Sequence, residues 1–341
     1  MKFTKRHIIA LMVVVIIAFT LSMYKLPYYI YKPGGADALD SIVEVEGGHQ
    51  SAGDMHLVTV SGGQATPVQY LWSTILPHHE IMPIHEVIPE GLSEEDYRHA
   101  QLQMMENSQE ASIVVAYEAA DADITIDYKG IFVVEVFEDM PAEGKLQMGD
   151  QILAVDNKRV DHAEDLISYV DTKQVGDTIT LDIKRDKTEL SVDVELVEYD
   201  NQKDKIGIGV GLVTDRDVTV DPDVTFSSGE IGGPSAGLMF ALEIYDQLTE
   251  EDLTKGYEMA GTGEIDYDGN VLRIGGIDKK VIAADKEGCD IFFAPNENGA
   301  KDSNYTVAKK TAEEIGTDMD IVPVDTFADA LDYIQQLEPK K

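Results

Sequence analysis

Apolar residues along this 341-residue chain recur at several different periods, and each change of period predicts a different element. Residues 8–24 form an uncharged apolar run. After it, Lys32-Pro33-Gly34-Gly35 reads as a linker. Leu57-Val58-Thr59-Val60 before Ser61-Gly62-Gly63 predicts a strand closed by a turn. Residues 94–118 take helical spacing, with Leu102, Met105, Ile113 and Tyr117 among the apolar positions and an acidic start that suits the positive end of a helix. From about 122 to 198 short alternating runs predict strands at 131–136, 151–155, 178–183 and 190–196, with a helix at 163–169. From 206 onward strands and helices alternate. A glycine-spaced strand at 206–213 and an extended stretch at 218–226 precede a helix at 234–248 with Leu238, Ala241, Leu242 and Tyr245 along one side. The class is α+β.

Lys2, Lys5 and Arg6 stand before the first apolar run, which has the length to span a bilayer with help from its flanks. The basic end stays in the cytoplasm by charge bias, which places the rest outside, with Tyr24, Tyr28, Tyr29 and Tyr31 at the outer interface. A cleaved signal peptide is the rival reading, but the small-x-small site Ala36-Asp37-Ala38 comes late.

Composition narrows the partners. With 64 Asp+Glu against 27 Lys+Arg the net charge is −37, which repels phosphate backbones and anionic lipid and argues against nucleic-acid binding. One cysteine, Cys289, cannot form an internal disulfide and sits in an apolar run. His78, His79 and His85 with Glu80 and Glu86 invite a metal reading, but Pro83 interrupts any His-Glu-x-x-His helix. Asp215, Asp217, Asp221 and Asp223 follow no EF-hand pattern and read as a solvated edge. No metal and no cofactor is expected.

The candidate chemistry lies in Gly233-Pro234-Ser235-Ala236-Gly237. A Gly-x-Ser-x-Gly element suggests an α/β-hydrolase nucleophile, whose histidine follows the serine. Here all eight histidines precede Ser235, so that order is impossible. A serine hydroxyl needs a base, and lysine serves only when burial or positive potential lowers its pKa. Gly275-Gly276-Ile277-Asp278-Lys279-Lys280 offers one: with Asp278 as helix N-cap, Lys280 falls in the first turn beside Ile277 and Ala284, where the dipole penalises an ammonium. Lys279 shares a side with Ala283 and Lys286 and is expected in solvent; spacing separates the two lysines only weakly. Glycines 232 and 233 leave backbone amides near Ser235 as oxyanion donors.

Two resemblances follow. The run Pro141-Ala142-Glu143-Gly144-Lys145-Leu146-Gln147-Met148-Gly149-Asp150-Gln151-Ile152-Leu153-Ala154-Val155 resembles a PDZ domain of the bacterial, protease-associated type. That family binds an extended peptide at a sheet edge, which places the groove on Gly130, Ile131, Phe132 and Val133 with the helix 163–169 beside it; a spacer or intramolecular lid is the other use of such a module. Gly233-Pro234-Ser235-Ala236-Gly237, Thr262-Gly263-Glu264-Ile265 and Gly275-Gly276-Ile277-Asp278-Lys279-Lys280 resemble the Lon-type Ser-Lys peptidases, in particular their membrane-anchored, PDZ-containing relatives. The resemblance implies Ser235 as nucleophile, Lys280 as base and Thr262 as the residue that orients the lysine. Two departures stand out: no Gly-x-x-x-x-Gly-Lys-Ser/Thr element is present, so no nucleotide is expected, and Glu230-Ile231-Gly232 replaces the family's Lys-Asp-Gly.

The expected organisation is a cytoplasmic tip and anchor at 1–31, the linker and first part of a Lon-type proteolytic domain at 36–120, an inserted or preceding PDZ domain at 121–200, and the rest of the proteolytic domain at 201–341. The expected activity is ATP-independent cleavage of peptides or unfolded proteins outside the cytoplasm, with self-assembly left open. A PDZ adaptor without proteolysis is the alternative.

Overall fold

In the computed structural model, which describes residues 5–89, 92–199 and 202–340, the chain forms two units. The first comprises Met1–Asp123 and Val220–Lys341; the second, Ile124–Thr219, is inserted between those halves.

The first unit is built on a six-stranded sheet in the order Asp320–Val324, Ile291–Pro295, Met259–Gly261, Met55–Gln64, Tyr28–Ala38, Glu80–Pro83. The first four run parallel and the last two add antiparallel. Ile291–Pro295 is buried along its whole length, which is why it reads as an unbroken apolar run. Successive side chains point to opposite faces. Phe292 therefore packs with Ile277, Val281 and Ala284 of the helix Ile277–Glu287 and with Ala308 and Ala312 of the helix Asn304–Ile315. Phe293 meets Tyr333 of the helix Phe327–Gln335 edge-on, ring centroids 6.0 Å apart. Each fully buried phenylalanine contributes about 2–3 kcal/mol of transfer free energy.

Several sequence expectations need correction. Residues 32–35 are no linker: they lie in Tyr28–Ala38, where the Gly35 amide donates to Thr59 Oγ1 at 3.0 Å. Ser61-Gly62-Gly63 does not turn either, because pairing with Tyr29–Lys32 carries the strand on to Gln64. Tyr28, Tyr29 and Tyr31 accordingly belong to the sheet. The helix expected from 234 starts at Gly237. The apolar run does form a helix, Lys5–Met23, but among the described residues no helix is long and apolar enough to cross a membrane. Lys5, Arg6 and His7 occupy its first turn, and residues 8–23 reach about 24 Å against a hydrocarbon core of about 30 Å. Lys2 lies outside the described residues.

The second unit has its own sheet, in the order Val210–Asp221, Asp123–Val136, Gln151–Val155, Thr178–Arg185, Thr188–Glu195, with Lys158–Arg159 paired to Gln151–Val155. Leu166 and Val170 of the helix Ala163–Asp171 close a core of Ile131, Val133, Ile152, Ile179 and Leu181. Asp150 is buried and accepts from Arg185 Nε and Nη2, each at 2.7 Å. Burial opposes its ionisation, but the Arg185 guanidinium and the Gln147 amide hold its carboxyl below the usual range.

Candidate active site

Ser235 sits in a turn immediately ahead of the helix Gly237–Leu248. Its carbonyl accepts the Gly263 amide at 3.0 Å, and the Gly263 carbonyl accepts the Leu238 amide at 3.1 Å, so the turn is laced to the segment that follows Met259–Gly261. Thr262, next in that segment, is fully buried, and its Oγ1 donates to the Ser235 carbonyl at 2.8 Å. Lys280 comes from the first turn of Ile277–Glu287. The cap of that helix is Gly276, with φ 69°, and not Asp278 as the sequence pattern suggested.

These three residues meet. Lys280 Nζ lies 2.6 Å from Ser235 Oγ and 2.9 Å from Thr262 Oγ1. Lys280 is 4% exposed, and burial lowers its pKa from 10.5 to about 7. A neutral amine has two hydrogens and one lone pair. Thr262 already donates its hydrogen to the Ser235 carbonyl, so its oxygen accepts one Nζ hydrogen, and the neutral amine at 2.6 Å keeps a lone pair that can take the Ser235 proton. That is the polarity a base needs.

The neighbouring lysine is equally buried but has opposite partners. Lys279, expected in solvent, is also 4% exposed, and its Nζ lies 2.7 Å from Glu80 and 3.2 Å from Asp278. Burial opposes the charge, but the two carboxylates hold its pKa above the usual value. Glu80 comes from the strand Glu80–Pro83, and nothing in local helical spacing encodes that partner. One lysine is kept charged, and the other is brought to where it gives up its proton near neutrality.

The helix Glu94–Ala119 runs alongside the nucleophile turn. Ser108 Oγ donates to the Pro234 carbonyl at 2.8 Å, and Ser112 Oγ to the Gly237 carbonyl at 2.9 Å. The Gly233 amide donates to the Gln101 carbonyl at 2.8 Å. A Cβ on Gly232 would stand 2.8 Å from Gln101 Cβ, and Gly233 holds φ at 91°, so both glycines serve this close approach. The Gly233 amide is thus engaged, which corrects its expected role as an oxyanion donor. Sequence reading missed Gln101, Ser108 and Ser112, and polar residues on a helix's buried face were the available signal. A groove of about 1490 Å³ opens over Ser235 and Lys280, with Tyr29, Tyr31, Gly62, Gln101 and Glu264 among its lining residues. Among the described residues no cluster of His, Cys, Asp or Glu could hold a metal ion.

In the inserted unit the segment expected to form the groove is not an edge. Ile131 and Val133 are buried in the core, and Phe132 pairs with Gln151. Gly130 adjoins Gln151, whose Nε2 donates to the Lys129 carbonyl at 2.7 Å. Strands flank this segment on both sides, so its backbone is not an edge. The edge is Val210–Asp221 instead, where Thr214 Oγ1 accepts the Ala163 amide at 2.9 Å at the start of the helix. Just before it runs Gly207-Ile208-Gly209-Val210, with Gly209 at φ 81°. That Gly-x-Gly-apolar run at the head of an edge strand was legible in the sequence, and was overlooked because it follows the other strands.

A family model for the PDZ domain matches residues 100–196. The chain is 37% identical over 102 residues to the Lon protease of Aster yellows witches'-broom phytoplasma, covering 30% of this chain and 12% of that protein. It is 37% identical over 101 residues to the Lon protease of Campylobacter jejuni, again 30% and 12%. The PDZ domain of the SdrC-like protein from Listeria monocytogenes is 32% identical, over 26% of this chain and 93% of that one, with a TM-score of 0.25. The family match shows that the chain contains a PDZ domain, and about a third of the chain is similar in sequence to Lon proteases. It spans 12% of the length of those first two Lon relatives.

Proposed function

We propose that this chain is a Ser-Lys endopeptidase of the Lon type, cleaving peptides or unfolded proteins, with its PDZ domain presenting the substrate. The observation that carries the reading is the Lys280 amine, 2.6 Å from Ser235 Oγ in surroundings that lower its pKa to about 7. Ser235 Oγ attacks the scissile carbonyl carbon while its proton passes to Nζ. The resulting ammonium returns that proton to the leaving amine nitrogen as the C–N bond breaks, which leaves an acyl-serine. Water then adds to the ester carbonyl, Nζ takes one of its protons and delivers it to Ser235 Oγ as the C–O bond breaks, and the new carboxylic acid departs and loses its proton to solvent. Thr262 fixes the amine throughout. The Ser235 and Ala236 amides, at the mouth of the helix Gly237–Leu248, are the donors this reading assigns to the oxyanion.

The PDZ edge Val210–Asp221 receives an extended peptide beside the helix Ala163–Asp171, with the loop at Gly207 and Gly209 facing its terminus. The localisation in this reading is extracytoplasmic, with the basic start and the apolar helix Lys5–Met23 acting as an export segment. Protease accessibility in intact cells compared with lysed cells tests that placement.

Purified protein and its Ser235→Ala variant, incubated with an unfolded substrate, test the activity. Cleavage by the parent alone supports the dyad. Equal cleavage by both, or by neither while peptides still bind, favours a PDZ adaptor.

A further inference from the structure

Residues 61–79 contain no Asp, Glu, Lys or Arg, although 27% of the chain is charged and the net charge is −37. The stretch folds as the end of Met55–Gln64, the helix Pro67–Ser73 and the turn after it. Its large apolar side chains face outward: Leu71 is 65% exposed, Trp72 60% and Ile75 76%, with Val68 and Leu76 also exposed. The ridge is held firmly. Thr66 and Gln69 close a capping box, Pro67 opens the helix, and the Tyr70 ring lies 5.0 Å from that of Tyr28. The apolar helix Lys5–Met23 ends at its base, where the Leu26 amide donates to the Ala65 carbonyl at 2.8 Å and Lys25 Nζ to the Gln64 carbonyl at 3.2 Å.

We propose that the ridge at residues 68–76 seats in the surface of a zwitterionic lipid membrane, with Trp72 at the headgroup level. The apolar helix falls short of the hydrocarbon thickness, and the ridge adds apolar surface where that helix leaves off. Tryptophan favours the interface because its ring is amphipathic. Acidic repulsion disfavours the two other occupants, an anionic surface and a second copy carrying the same net charge. Lys25, Gly62, Gly63 and Gln64 line the same groove as Ser235 and Lys280, so one end of that groove opens beside the ridge.

Trp72 is the chain's single tryptophan and reports on the ridge directly. The experiment reconstitutes the full chain in phosphatidylcholine vesicles, some made with lipid brominated near the top of the acyl chains. The expected result is emission quenched by the brominated lipid and shielded from aqueous iodide. Ile75→Asp, at a solvent-facing position, keeps the fold and reverses both effects. Trp72 emission indifferent to bromine and open to iodide overturns the proposal. So does shielding without bromine quenching that grows with the protein-to-lipid ratio, since a second copy then covers the ridge.

Discussion

Lys280→Met should make the protein more stable while destroying its hydrolytic activity. In the folded chain the amine loses its proton near pH 7, whereas an unfolded lysine keeps it to about 10.5. That difference corresponds to about 5 kcal/mol against the folded state at neutral pH, at about 1.4 kcal/mol per pH unit. Methionine fills similar space without a charge to desolvate. The substitution also removes two hydrogen bonds, to Ser235 and Thr262, of about 1 kcal/mol each. The net expectation is about 2–4 kcal/mol of added stability at pH 7. Between about 7 and 10.5 the unfolded parent binds more protons than the folded one, so its stability rises with pH through that window. The advantage of the variant is therefore full below about 7 and shrinks as the pH approaches 10.5. Urea unfolding of both proteins at a series of pH values measures it. Equal stability at pH 7, or a gap that widens with pH, refutes the account of a desolvated amine.

The same amine sets the activity profile: kcat/KM should rise with pH through about 7 and level off above it, and a rate that falls over that range contradicts Lys280 as base. Lys280→Ala should abolish turnover, whereas Lys279→Ala should retain it at reduced thermal stability, since it breaks the pair with Glu80; inverted activities place the base one residue earlier. Thr262→Val, nearly isosteric, should lower kcat by about ten- to a hundredfold with little change in KM, by removing the acceptor that orients Nζ. Arg185→Met should destabilise the PDZ unit by about 3 kcal/mol, because buried Asp150 loses its bidentate partner; hydrogen exchange in the strands 151–155 and 178–185 reads this out.

Much of the architecture was legible because apolar periodicity is a local property. Glu94–Ala119 keeps helical spacing and opens with Ser93 and Asp96 closing a capping box, and the strands expected at 131–136 and 151–155 fall within Asp123–Val136 and on Gln151–Val155. Where long-range pairing decided, local signals misled. Glycines at 34, 35, 62 and 63 look like breaks, yet Tyr28–Ala38 and Met55–Gln64 pair through them. The PDZ edge was misplaced for a related reason: the strand Val210–Asp221 comes last in sequence but pairs beside Asp123–Val136.

Chain order alone carries the α+β class, the serine between small residues, the lack of any downstream histidine and the two adjacent lysines. It left those lysines almost equivalent, because one residue of helix is a rotation of about 100° and both faces carried alanines. Only the tertiary structure separated them. The helix Ile277–Glu287 lies so that one amine meets Ser235 and Thr262 in a dry pocket, while the other meets Glu80 from a strand some two hundred residues away. Ionisation depends on which groups surround an amine in space, and chain order does not specify them.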